Sequence, residues 1–146
     1  MSRDNVIIEC QIFIAASPEI IFPFLIDPAL MARWFGLKHT LEPRPGGVFR
    51  VQVGSDHLAR GVFTEVVPQR KVAFTWGWES KDSSLAALKP GESLVEIELE
   101  PREGGTLVRL RHSRLRKDLS KIHANRWSYY LGRLQEVTLE LEKEVT

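Results

Sequence analysis

The chain has 146 residues, 43% of them hydrophobic and 27% charged, with a formal net charge of +1. This balance predicts one folded domain over residues 1–146 and excludes a disordered chain, and the near-neutral total gives no general pull toward nucleic acid or anionic lipid. No apolar run approaches the roughly 20 residues of a membrane span, Met1 to Glu9 lacks a signal-type segment, and the lone cysteine, Cys10, excludes an internal disulfide. A cytoplasmic protein without a membrane partner is expected.

The first element is a strand over Val6 to Ile14, where Glu9 and Gln11 alternate with Ile8, Cys10, Ile12 and Ile14. Ser17-Pro18-Glu19 starts a short helix that runs to about Ile26, because Ser accepts from the orphan amides and Pro is pre-set for the first helical position. Pro23 costs that helix a backbone bond and is expected to kink it. Asp27-Pro28 repeats the start signal for a second short helix, Ala29 to Trp34, which Gly36 stops.

From Lys38 to Ser113 the apolar period is two, interrupted by turn residues at Pro45-Gly46-Gly47, Gly54-Ser55-Asp56, Pro68-Gln69, Lys89-Pro90-Gly91 and Glu103-Gly104-Gly105. Six meandering strands are predicted. Phe49, Val51 and Val53, then Val72, Phe74, Trp76 and Trp78, then Val95, Ile97 and Leu99, and finally Val108, Leu110 and His112 share one parity, so one face is apolar and the other wet. If Glu98 pairs with Arg109 across the last hairpin, Glu96 faces Arg111, and opposite charges stand across the ladder. The closing element is a long helix, about Asp118 to Lys143. Leu119, His123, Trp127, Tyr130, Leu134, Val137 and Leu141 form its stripe, which must cover the apolar face of the sheet. The fold class is therefore α+β: a seven-stranded curved antiparallel sheet, two short helices and a long C-terminal helix across the concave face.

Several segments carry a family resemblance. They are Trp34-Phe35-Gly36, Pro45-Gly46-Gly47-Val48-Phe49, Gly61 to Pro68, Val72-Ala73-Phe74-Thr75-Trp76, Gly105-Thr106 with Leu110-Arg111-His112-Ser113, and the stripe of Trp127, Leu131 and Leu134. In this order, from about Ile7 to Leu141, the chain resembles the domain family named after the activator of the heat-shock protein 90 ATPase. That family lies within the START and birch-allergen-like (SRPBCC) helix-grip superfamily. Two positions depart from the pattern: Arg126 stands where relatives usually carry Gly before the helix tryptophan, and Pro23 is unusual in the first helix. The resemblance implies a helix-grip fold, in which relatives often keep a cavity for a lipid-like or aromatic molecule. The eukaryotic co-chaperones behind the family name use an additional N-terminal chaperone-binding domain, which this chain is expected to lack.

The expected lining of such a cavity is Trp34, Phe35, Phe49, Phe63, Phe74, Trp76, Trp78, His112, Trp127 and Tyr130, an apolar set with a few polar atoms. Buried Trp and Tyr need partners for those atoms, so this many on one face points to incomplete filling or a ligand. His112, His123 and Tyr130 are the candidate proton-transfer groups, and Glu65 is a further residue of inward parity that would need Arg60 or an amide as partner. Four dispersed histidines, His39, His57, His112 and His123, and one cysteine show no ligand spacing, so neither metal nor cofactor is expected. No nucleophile sits in a recognisable setting.

Between Arg109 and Arg133 stand eight basic residues against the single acid Asp118. The stretch reads first as a solvated face, next as a portal for an acidic ligand, and last as a nucleic-acid site, which the covered position of the aromatics disfavours. The expected function is binding or sensing of a small hydrophobic or aromatic molecule without catalysis, in a cavity of a few hundred cubic ångströms on the usual pocket scale. The alternatives are a cyclase-, aromatase- or hydrolase-type enzyme, and a co-chaperone or other interaction protein, with a chaperone or a second copy as partner.

Overall fold

A computed structural model describes residues 5–145, with side chains through Glu144. Strands β1 (Asn5–Ile14), β2 (Lys38–Leu41), β3 (Val48–Gly54), β4 (His57–Val67), β5 (Lys71–Ser80), β6 (Ser93–Arg102) and β7 (Gly105–Arg116) form one antiparallel sheet in the order β1-β7-β6-β5-β4-β3-β2. The expected meander is present, with β1 returning to pair with β7. Helix α1 (Pro18–Ile21), a 3-10 turn (Phe22–Leu25) and helix α2 (Pro28–Met31) link β1 to β2, and helix α4 (Ser120–Val145) closes the chain after a 3-10 turn at Lys117–Leu119.

The start signals act as their chemistry requires. The Ser17 hydroxyl accepts from the Ile20 amide, and the Asp27 carboxylate accepts from the amides of Ala29 and Leu30 at 2.9 and 3.3 Å. Pro23 does more than kink: α1 stops at Ile21 and the chain tightens into the 3-10 turn, since Pro23 has no amide to donate back. A short helix that turn chemistry alone did not suggest, α3 (Ser83–Ala86), lies in the β5–β6 connection. Asp82 caps it by accepting from the Ser84 amide at 2.9 Å, and Leu85 and Leu88 bury against β5.

Register follows the charge pattern. Glu98 stands opposite Arg109 and Glu96 opposite Arg111, but the ion pairs form with other neighbours: Lys71 with Glu65 and Glu96 at 3.0 and 3.2 Å, and Arg109 with Glu100 at 3.2 Å. Glu65 corrects an expectation. A β-bulge between Phe63 and Glu65 inserts one residue into β4, which reverses the parity beyond it and turns Glu65 out to solvent and to Lys71. Arg60, its expected partner, pairs with Glu79 instead, at 2.8 Å.

Helix α4 covers the apolar face. His123, Trp127, Leu131, Leu134 and Val137 are buried with the inward side chains of β3 to β7, and the Gln135 side chain donates to the Phe13 carbonyl of β1 at 2.8 Å. Leu131 and Thr138 join the buried stripe, whereas Tyr130 and Leu141 are only half-buried at its margin. No described helix is long and apolar enough to cross a membrane.

The α3–β6 connection packs so closely on the sheet that one glycine becomes obligatory. A β-carbon on Gly77 would lie 1.8 Å from the Lys89 carbonyl oxygen, whereas one on Gly132, within α4, would meet nothing within 4 Å. Gly77→Ala is therefore expected to destabilise the protein by about 2 kcal/mol or more, and Gly132→Ala to stabilise it by about 0.5–1 kcal/mol. Urea unfolding of both variants checks this; a Gly77→Ala midpoint equal to that of the parent would refute the packing.

Candidate functional site

The covered face of the sheet carries a continuous set of rings. Trp34, Phe35, Phe49, Phe63, Phe74, Trp76, Trp78 and Trp127 are each 0–3% exposed. Phe49 and Phe74 stack with centroids 3.8 Å apart, and Trp76 lies 5.2 Å from both Trp78 and Trp127. Eight of the ten expected lining residues thus meet in one cluster, with His112 inside it and Tyr130 at its edge. They pack ring against ring. Concavities among the described residues lie elsewhere, for example one of about 360 Å³ on the outer face near Arg70 and Glu98 and another beside β2 and β3 at Thr40 and Arg50, and none of the ten lines either.

Within this apolar mass the nitrogen heterocycles are tied in pairs. Trp78 Nε1 donates to His123 Nε2 at 3.0 Å, and His123 Nδ1 lies 2.8 Å from the Leu119 carbonyl oxygen. A carbonyl can only accept, so His123 carries its proton on Nδ1 and presents Nε2 as acceptor. Trp127 Nε1 donates to His112 Nδ1 at 3.1 Å, which places the His112 proton on Nε2, 2.8 Å from the Ser93 hydroxyl. Ser93 in turn donates to the Trp76 carbonyl at 2.8 Å. The result is two relays that run from indole to imidazole to backbone, one of them through a serine. Both imidazoles are neutral, with every ring nitrogen engaged.

His112 and His123 stand edge to face with centroids 5.3 Å apart, but their hydrogen bonds run to tryptophans rather than to each other. Ser93 is the member that sequence reasoning passed over. Its signal was its parity, since it shares the inward face of β6 with Val95 and Ile97. Trp34 Nε1 is satisfied by the Phe24 carbonyl at 2.8 Å. Among the described residues one buried side-chain nitrogen has no partner, Trp76 Nε1 at the centre of the cluster. No group of three or more His, Cys, Asp or Glu side chains gathers among the described residues as a metal ion would need.

Burial sets the electrostatics. It holds His112 well below the usual histidine value, helped by repulsion from His123, and it lowers His123, opposed by the Leu119 hydrogen bond and assisted by the charge of Arg126. Burial raises the Tyr130 phenol, with Arg126 pulling the other way.

An antiparallel sheet gripping one long helix around a covered aromatic face defines the helix-grip class. A model of the family described as "Activator of Hsp90 ATPase homolog 1-like protein" matches residues 15–138, and the chain belongs to that family. An AHSA1-like protein from Rhizobium etli, solved by NMR, is 39% identical with a TM-score of 0.72, over 92% of this chain and 82% of that one. A protein from Mesorhizobium loti (21% identical, TM-score 0.79, 92% and 97% covered) and an Aha1 dimer from Colwellia psychrerythraea (21%, 0.75, 91% and 96%) share the fold. A search of curated proteins finds no match.

The two depressed histidines make stability depend on pH in one direction. Unfolded, each takes up a proton near 6.5; folded, each resists protonation to lower pH. The unfolded state therefore binds more protons below 6.5, and stability present above that value is lost progressively as pH falls toward the folded pKa values. Unfolding free energy measured by urea titration from neutral pH to about pH 5 should fall, and His123→Gln should reduce the slope. A pH-independent midpoint across that range would show that the imidazoles are not held neutral.

Proposed function

We propose that the protein is a non-catalytic binding domain for a small, largely hydrophobic molecule that carries a hydrogen-bond acceptor. The observation behind this is the Trp76 indole. An unsatisfied buried N–H costs about 1–3 kcal/mol, and every other buried indole among the described residues has its acceptor, so Trp76 Nε1 is the place where an incoming carbonyl, ether or hydroxyl oxygen would gain most. The rings around it would supply apolar contact once they part, and helix-grip relatives often take hydrophobic ligands.

The engaged imidazoles favour binding over turnover. For either His112 or His123 to serve as acid or base, a ring nitrogen would have to give up Trp78, Trp127, Ser93 or the Leu119 carbonyl, leaving that group unpaired in the core. Tyr130, half-buried and without such ties, is better placed to meet a ligand than to drive a reaction with them.

Native mass spectrometry of protein purified under mild conditions should reveal a small apolar adduct that organic extraction removes. Refilling the extracted protein with acceptor-bearing aromatic probes should quench its tryptophan fluorescence, and Trp76→Phe should weaken an aryl ketone about fivefold or more while leaving the matching hydrocarbon nearly unchanged. The absence of an adduct, together with no quenching by any probe, would exclude the reading.

A further inference from the structure

Arg126 and Tyr130 stand one turn apart on α4, a spacing that places side chains beside each other on one flank of a helix. Both are half-buried. Among the described residues no carboxylate lies within ion-pair distance of Arg126, and neither its guanidinium nor the Tyr130 hydroxyl has a hydrogen-bond partner. Its neighbours differ in this respect. Arg133, seven residues on, donates to the Arg33 carbonyl at 2.8 Å, and Arg33 pairs with Glu140 at 3.4 Å. On the sheet, Arg60, Lys71 and Arg109 each have a glutamate. A guanidinium carried on a half-buried side chain, with no counter-ion of its own, can offer its full set of charge-assisted hydrogen bonds to an anion that arrives from outside. The charge is felt at the site, where it acts against the rise of the Tyr130 phenol and lowers His123.

The rings then lead inward from this pair. Tyr130 packs edge-on against Phe35 with centroids 4.8 Å apart, Phe35 stacks on Trp76 at 6.0 Å, and Trp127 lies between, 6.4 Å from Tyr130 and 5.2 Å from Trp76. A cation and a hydroxyl stand at the outer end of this path, and the unsatisfied indole stands at the inner end.

We propose that Arg126 and Tyr130 hold the anionic end of the ligand, so that the protein selects amphipathic carboxylates whose apolar body reaches inward along Phe35 and Trp127 toward Trp76. This rests on the binding role proposed above and adds the charge class of the ligand. The guanidinium offers two parallel N–H donors to a carboxylate, the phenol hydroxyl adds a third, and an uncharged analogue of the same shape forfeits the charge-assisted part of that contact. The pair acts in binding and orientation and moves no proton.

The test uses two matched pairs of probes on the full chain, 2-naphthoate against 2-naphthamide and dodecanoate against dodecanamide, with dissociation constants read from tryptophan fluorescence and calorimetry. The expected result is that the carboxylate of at least one pair binds about tenfold or more tightly than its amide, that Arg126→Gln abolishes the preference by weakening the carboxylate far more than the amide, and that Arg126→Lys keeps part of it. Tyr130→Phe should weaken the carboxylate more than the amide. Equal affinities within each pair, or a preference that survives Arg126→Gln, would overturn the assignment of Arg126 and leave the hydrophobic-binding role standing. Failure of all four probes to bind would overturn both.

Discussion

Six buried nitrogen heterocycles lie in one core, and the rest of the structure depends on how their polar atoms are placed. Indoles and imidazoles contribute large ring surfaces, yet each carries an N–H or lone pair whose burial is costly unless paired. Here the pairing runs across the two layers: Trp78 on β5 reaches His123 on α4, and Trp127 on α4 reaches His112 on β7. Within the core the helix is thus tied to the sheet at two points by directional bonds, in addition to the Gln135 bond at its margin, and apolar contact fills the space between. Hydrophobic burial alone tolerates sliding of a helix along a sheet, whereas two indole–imidazole bonds in a dry interior fix its register and rotation.

This also accounts for which parts of the molecule were legible from its residues. Strands, hairpin register and helix starts follow from local chemistry, and Glu98 opposite Arg109, Ser17 and Asp27 at their caps, and the inward row from Val72 to Trp78 all stand where parity and turn residues put them. Glu65 does not, because parity counting presumes an unbroken pleat and the bulge after Phe63 leaves no mark in composition. Helix α3 was carried by Asp82-Ser83-Ser84, a cap signal overshadowed by the stronger turn signal of Lys89-Pro90-Gly91. The stripe of α4 was read through Tyr130, but the helix is rotated slightly so that Leu131 and Thr138 face inward, an orientation in which Trp127 and His123 also reach their heterocycle partners.

The site divides in the same way. Membership of the aromatic cluster was readable from parity, and eight rings are buried together as expected. Pairing was not readable, since nothing in a sequence specifies which indole meets which imidazole. His112 and His123 were candidate proton-transfer groups by inward parity and place on the helix stripe; the indoles compete for the same nitrogens and satisfy them at 3.0 and 3.1 Å. The expected open volume met a similar competitor. Rings of this size can fill the space between helix and sheet themselves, and the exposure of 3% or less at all eight buried rings shows how closely they do so.

A filled interior and a role in binding are compatible only if the rings differ in how firmly they are held, and the hydrogen bonds supply that difference. Trp78, Trp127 and Trp34 are each anchored by an indole bond, so moving any of them breaks a buried pair. Trp76 and Phe35 have no such anchor through their rings, and Tyr130 is half-exposed beside them. The least costly opening of the core is therefore a displacement of Phe35, Tyr130 and the Trp76 ring away from one another, which begins at the margin beside Arg126 and ends at the donor that lacks an acceptor. The same constraint that locks α4 onto the sheet thereby leaves the rings between Tyr130 and Trp76 less firmly held than the anchored indoles beside them. The departure from the family pattern at Arg126 stands one helical turn from Tyr130, at the outer end of these rings.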